Sequence, residues 1–410
     1  MIRTSILSNI KAKNDTVLEH NIIEGYLFTG YSKKKLNCLS KTYDDLAKIY
    51  RSMPDENSVY NTRKDMLYQK QIYDTKQVFA NHLEEMSDAF AEVADTMVHV
   101  SIPVEHKRKA LIQYLKKHGI IVRELMFLES KNYADGKRRI SIEAKVNGRY
   151  SLPVVELCSL LSDFFDRKLI PTLDSALQLT KMYDTFIFED EPRYIVMSAI
   201  ARAVKEDEKI SGDNFSLEEY NQNQVVAMIA DGMGSGEQAC KDSQSVIEFM
   251  EKFLQAGFLK EKALSMVNGA IASQTQGCNM TTLDICSINL LNGEAEFLKA
   301  GACQSYIKRR NRIDKIEYDT LPLGAMEEIS PIMQSVKLED SDILIMVTDG
   351  VADAFDKDCE KGFVDLLAQT KIYNPKELAD YIIQSAIRAN CGRIYDDMTV
   401  MVLVVWNNSF

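Results

Sequence analysis

Histidine is absent from the chain beyond residue 118: all five (His20, His82, His99, His106 and His118) precede that point, in a protein of 410 residues. A histidine-rich zinc or di-iron centre, or a nucleophilic triad that needs an imidazole, is thereby disfavoured in the larger C-terminal part. An excess of basic charge is also missing. The formal net charge is −11, from 49 basic and 60 acidic residues, which argues against nucleic acid as a partner because phosphate backbones require a basic surface. The eight cysteines contain no CxxC pair, and several sit inside apolar stretches, so they read as reduced, buried thiols of a cytoplasmic protein. No apolar run approaches the roughly 20 residues of a membrane helix, and the N-terminus has no apolar signal core. On these grounds a soluble chain is expected, with two or three domains at this length.

What is present is a repeated pattern of apolar runs that meet aspartates. Val225-Val226-Ala227-Met228-Ile229-Ala230 leads into Asp231-Gly232-Met233-Gly234-Ser235-Gly236, followed by a polar helical stretch from Glu237. Ile343-Leu344-Ile345-Met346-Val347-Thr348 leads into Asp349-Gly350. The order inverts at Asp396-Asp397, which precede Met398–Val405. Short continuous apolar runs of this kind read as buried strands, and the glycines let backbone approach a ligand closely. An Asp-Gly after one strand is ordinarily only a turn. Three strand-end carboxylates, separated by 118 and 47 residues, acquire chemical meaning if the fold makes their strands neighbours. Like charges gathered at a sheet edge are costly unless a divalent cation offsets them, and hard oxygen donors suit Mg²⁺ or Mn²⁺. Two such ions about 3.5–4 Å apart lower the pKa of a shared water and clamp a phosphate for in-line attack.

Along the chain, residues 1–61 are polar and mixed, with the Lys33-Lys34-Lys35 run and a break at Pro54-Asp55-Glu56-Asn57; short helices are expected. Residues 62–100 hold a long helix whose apolar positions Phe79, Leu83, Met86, Phe90, Val93 and Met97 follow heptad spacing, with Glu84, Glu85, Asp88, Glu92 and Asp95 outside the seam. That seam is either one wall of an intramolecular bundle or a self-association surface. Residues 101–183 read as a small α/β unit with strands over 120–130 and 138–145 and a helix over 154–167. Residues 184–408 alternate helices with antiparallel strands, including a meander over 281–300 and a hairpin about Arg310-Asn311. The expected class is α+β, with sheets covered by helices. Asp284 lies inside an apolar strand, where a hydrogen-bonded structural role is favoured over contact with the site, and Lys308-Arg309-Arg310 reads as a solvated hairpin tip.

Ser211-Gly212-Asp213, the Asp231–Gly236 turn, Leu321-Pro322-Leu323-Gly324, Thr348-Asp349-Gly350 and Asp396-Asp397-Met398-Thr399-Val400 resemble, in order and spacing, the motifs of the metal-dependent type 2C (PPM) serine/threonine phosphatases, and within them a sporulation-type branch. The resemblance covers about residues 184–408. It implies a central β-sandwich of two antiparallel sheets flanked by helices, preceded here by the long helix and a small α/β regulatory unit, with two Mn²⁺ or Mg²⁺ at one end. By motif matching, Asp231 bridges both ions, the Gly232 carbonyl ligates one, Asp349 and Asp396 complete the other's shell, and Asp213 stands near a metal-bound water. Met233 replaces the histidine many members carry in the first motif. Asp397 stands where Asn is frequent and is a weaker ligand than Asp396. No phosphate-binding arginine matches; Arg202 is the nearest candidate.

The implied activity is dephosphorylation of phosphoserine or phosphothreonine without a covalent enzyme intermediate. The implied partner is a phosphorylated anti-anti-sigma factor of the STAS type, whose dephosphorylation activates a sporulation sigma factor. Relatives in this branch carry a multi-span membrane region ahead of these domains, so an upstream anchor would make the protein membrane-associated. Two other readings stay open: a catalytically silent phosphatase fold acting as a dimeric scaffold, and a stress-response phosphatase of the same family. A homodimer through the 62–100 helix is compatible with each.

Overall fold

The computed structural model describes residues 36–48, 51, 63–96, 99–101, 105–129, 138–148, 151–172, 175–220, 223–256, 258–272, 280–310, 312–326, 329, 331–356 and 361–408. The expectations for most of 1–61, including the lysine run and the break at Pro54, lie outside the described residues, as does the hairpin tip at Asn311. The chain divides into two compact units, one of residues 1–39 and 90–191, the other of residues 40–89 and 192–410, so the division falls within the long helix Arg63–Thr96. No described helix is long and apolar enough to cross a membrane.

The first unit is an antiparallel sheet in the order β1-β2-β3-β7-β5. Its strands are β1 (His99–Ser101), β2 (Ile120–Glu129), β3 (Arg138–Val146), β5 (Leu169–Pro171) and β7 (Asp184–Asp190), and the short pair β4 (Leu152–Pro153) and β6 (Gln178–Leu179) stands apart. Leu111 and Leu115 of the helix Glu105–Lys117, and Leu157 and Leu161 of the helix Val154–Phe165, pack with Ile140, Ile142, Phe186 and Phe188. The segment from Asp184, grouped by sequence with the phosphatase-like part, therefore opens with a strand of this sheet. β7 pairs with β3 and β5, and its Phe186 and Phe188 are buried in this core.

The second unit holds two five-stranded antiparallel sheets, β15-β12-β11-β10-β9 and β14-β13-β16-β17-β8. The strands are β8 (Tyr194–Ala203), β9 (Asp213–Tyr220), β10 (Gln224–Gly232), β11 (Thr281–Asn289), β12 (Glu294–Ala300), β13 (Ser305–Lys308), β14 (Ile313–Ile316), β15 (Met333–Lys337), β16 (Ile343–Val347) and β17 (Met398–Asn407). Alternation along each strand explains the layers. On β10, Val225, Ala227 and Ile229 join Phe297, Leu344, Met346, Met401 and Leu403 in the core between the sheets. The intervening Val226, Met228 and Ala230 pack against Val246, Met250, Leu264 and Val267 of the helices Gly236–Gln255 and Lys260–Ala272. On the opposite side, Ile345, Val400 and Val402 meet Leu378, Ile382 and Ala386 of the helix Pro375–Ala389. Central strands with both faces buried read as unbroken apolar runs, which is why these are visible in the sequence. The expected sandwich of two antiparallel sheets between helices is borne out.

Residues 40–89 add helical structure to this unit. Leu83, Ala80 and Ala89 are buried, Ser40 and Ser87 share a hydrogen bond of 3.1 Å, and Asp88 lies 3.5 Å from Lys262. Part of the heptad seam is thus covered within one chain, while Phe79 is 45% exposed.

Candidate metal centre

The antiparallel registers bring the aspartates together. Asp231, the penultimate residue of β10, stands directly opposite Asp213, the first residue of β9. β16 and β17 pair with Val347 opposite Val400, so Asp349, just after β16, and Asp396, just before β17, share one end of the other sheet. The repulsions felt by Asp231 identify its neighbours as Asp213, Asp349 and Asp396. Four carboxylates therefore converge at one end of the sandwich.

Two glycines permit this approach. A Cβ on Gly232 would lie 2.2 Å from the Ala239 carbonyl oxygen, and one on Gly350 would lie 2.2 Å from the Asp397 carbonyl oxygen. Each Asp-Gly thus lets a neighbouring backbone close in behind the carboxylate. The Leu321-Pro322-Leu323-Gly324 motif closes against the same edge: Leu323 exchanges two backbone hydrogen bonds with Thr281, the residue opposite Gly232.

Asp213 is fully buried. Its Oδ2 accepts hydrogen bonds from the hydroxyls of Thr348 (3.0 Å) and Thr399 (2.6 Å), which respectively precede Asp349 and follow Asp396-Asp397 in sequence. Its Oδ1 is buried and accepts no hydrogen bond. Burial pushes the Asp213 carboxyl up to about 6 against the pull of those hydroxyls. Asp231 is pushed further, to about 9, first by burial and then by Asp213 and Asp349. Asp349 is raised by burial and by Asp396. Such shifts are what uncompensated negative charge produces in a poorly solvated site.

Asp397 has a different part. Its Oδ1 accepts the Lys205 backbone N–H (2.9 Å) and its Oδ2 the Gly212 N–H (2.7 Å), so it ties both ends of the loop 204–212 to the start of β17. Lys205 in turn holds its ammonium 3.6 Å from Asp396. Arg202, the sequence candidate for phosphate contact, is exposed and contacts backbone and an aromatic ring rather than the carboxylates. It donates to the Asp213 carbonyl oxygen (2.5 Å) and stacks over Phe215. Asp284 is a buried structural group paired with Lys299 (2.5 Å) and accepting from Ser305, although its Oδ1 is without a partner and it lines a pocket of about 130 Å³ with Thr282, Cys303, Thr348 and Asp349. Sequence reasoning misses the Asp397 clamp and Lys205; the pairing of Lys205 with Asp396 spans 191 positions and carries no local signal.

The donor set fits a hard divalent cation: the four clustered side chains all offer carboxylate oxygen, one buried carboxylate oxygen lacks a donor, and Asp231 is driven towards its neutral form by burial and by neighbours a cation would neutralise. Among the described residues no group of three or more carboxylate, imidazole or thiol side chains stands at metal-binding distances, so ion binding would draw these carboxylates inward.

The arrangement of sheets and helices is the fold of PP2C phosphatase domains. A solved structure containing the PP2C phosphatase domain and a fragment of the regulatory domain of SpoIIE from Bacillus subtilis shares the fold, with a TM-score of 0.59 at 24% identity over 85% of this chain and all of that one. Residues 221–406 match the family model described as "Stage II sporulation protein E (SpoIIE)". The chain is similar to the stage II sporulation protein E of Priestia megaterium, 26% identical over 346 residues, covering 83% of this chain and 58% of that protein. It is equally similar to that of Bacillus subtilis strain 168, at 26% over 359 residues, covering 86% and 43% respectively. It thus spans about half the length of the curated relatives it matches.

Proposed function

We propose that this chain is a Mn²⁺- or Mg²⁺-dependent phosphatase of phosphoserine and phosphothreonine in proteins, acting on a phosphorylated STAS-type anti-anti-sigma factor in the cytoplasm and so activating a sporulation sigma factor. The observation that carries the reading is the convergence of Asp231, Asp349 and Asp396, from two sheets, in front of the buried Asp213. Asp231 would bridge two ions with help from the Gly232 carbonyl, and Asp349 and Asp396 would hold one of them. When bound, the ions supply Lewis acidity and a nucleophile from water at neutral pH. Asp213 is suited to orient that water through Oδ1, because its Oδ2 is already fixed by two threonine hydroxyls. Thr348 and Thr399 thereby hold the carboxylate in one rotamer, and preorganisation of this kind is what lowers a barrier. The sporulation assignment draws on the names of the relatives. The helix over 62–100 is proposed to regulate the enzyme by self-association, with the exposed Phe79 as part of the contact.

The test is phosphate release from a phosphorylated STAS-type protein and from an unrelated phosphoserine protein of similar size. Preference for the first by at least an order of magnitude in kcat/KM supports the substrate assignment; equal rates would remove it and leave a general phosphatase.

A further inference from the structure

We propose that Lys205 is the cation that contacts the substrate's phosphate, an inference that rests on the phosphatase reading above. A phosphate monoester carries a charge of about −1.5 to −2 at neutral pH. Two divalent ions against four ionised aspartates (Asp213, Asp231, Asp349 and Asp396) bring the site only to neutrality, so the incoming phosphate calls for a further positive group. Arg202 is exposed, but its guanidinium is engaged by the Asp213 backbone carbonyl and the Phe215 ring rather than by a carboxylate of the cluster. Lys299 is fully buried, with its ammonium donating to Asp284 (2.5 Å), the Cys303 carbonyl (2.8 Å) and Ser305 (2.8 Å), which uses all three of its protons.

Lys205 differs from both in that its ammonium faces one of the clustered aspartates. Its side chain is one-third exposed (34%), and its ammonium stands 3.6 Å from Asp396 Oδ1, a loose ion pair rather than a tight hydrogen bond. Its backbone is held by Asp397, the residue next to that same Asp396, so the lysine is anchored at the carboxylate cluster while its charged end is free to pivot. Were Asp396 to hold an ion, its charge would be offset and the Lys205 ammonium would be released to pair with an incoming phosphate. Lys205 therefore has two successive partners: Asp396 before the ions bind, and phosphate after.

The test compares the full chain with Lys205→Ala and Lys205→Arg at saturating Mn²⁺. Three quantities are read: KM and kcat for a phosphoserine peptide, the affinity of the Mn²⁺-loaded protein for inorganic phosphate by calorimetry, and the Mn²⁺ affinity itself. Lys205→Ala should weaken phosphate binding and raise KM on the order of tenfold or more, as expected for a lost charge-assisted contact, with Mn²⁺ affinity unchanged or tighter. Lys205→Arg should recover most of the loss. Unchanged phosphate affinity in Lys205→Ala would overturn the proposal and leave Lys205 a counter-ion to Asp396. A wild type that binds phosphate through Lys205 but turns nothing over would sink the phosphatase reading alone, since the calorimetric arm does not depend on turnover.

Discussion

Metal-free protein should lose stability as pH rises from 5 to 8, and Asp231 should be the main cause. An ordinary aspartate titrates near 3.9, whereas Asp231 in the fold is pushed up to about 9 by burial and by Asp213 and Asp349. A carboxyl whose folded pKa is raised contributes its stabilisation in full below about pH 4, and that contribution is lost as pH climbs towards the folded value. Each unit costs about 1.4 kcal/mol, so roughly three units between pH 4 and pH 7 amount to about 4 kcal/mol. Asp231→Asn removes the titration and offers an amide donor to the unpartnered Asp213 Oδ1. Urea unfolding in EDTA at pH 5.5, 7 and 8.5 reads the difference directly. The gap between variant and wild type should widen with pH in favour of the variant, and millimolar Mn²⁺ should narrow it by stabilising the wild type alone, by about 2.7 kcal/mol at a hundredfold excess over Kd. A wild type whose metal-free stability runs parallel to that of Asp231→Asn across this range would refute the reasoning.

Other substitutions probe separate parts of the molecule. Asp397→Ala strips acceptors from the Lys205 and Gly212 amides and should cost on the order of 2–4 kcal/mol in urea unfolding, because it removes two hydrogen bonds to a buried carboxylate. Lys299→Met leaves Asp284 buried without its partner and should cost about 3–5 kcal/mol, while Lys299→Met combined with Asp284→Leu should recover much of that; additive losses in the double variant would contradict the ion-pair account. Phe297→Ala empties a fully buried site between the sheets and should cost about 3–5 kcal/mol while leaving Mn²⁺ affinity of the folded protein unchanged. Phe79→Asp should reduce the mass measured by light scattering if the long helix self-associates, and an unchanged mass would exclude that surface.

The parts of this protein visible in its sequence are those where one physical rule acts alone. β10, β16 and β17 are buried on both faces, so they stand out as unbroken apolar runs, and the aspartates at their ends mark the site. Long-range pairing is where local reasoning stops. Nothing in Asp184–Asp190 announces that it pairs with β3, an earlier strand, rather than with the strands after it. Asp396 and Asp397 are chemically identical neighbours; motif matching ranks the first above the second as a ligand, and the fold adds that the second is clamped to two amides. The hairpin Lys308-Arg309-Arg310 reads as solvated, yet Lys308 donates to the Leu367 and Thr370 carbonyls at the end of the helix Lys361–Gln369, and Arg309 is paired with Asp314 and Asp342. Basic side chains with long stems can turn back from a tip to satisfy the last carbonyls of a helix, and sequence does not show which will.

The most direct test of the central claim is release of inorganic phosphate from a phosphoserine peptide by the wild type, Asp231→Ala, Asp349→Ala and Asp396→Ala, each with Mn²⁺ and with EDTA. Turnover by the wild type is expected only with the metal, and a fall to the EDTA background in every variant that remains folded. Turnover that survives EDTA, or that persists in folded Asp231→Ala, would contradict a metal centre built on these aspartates.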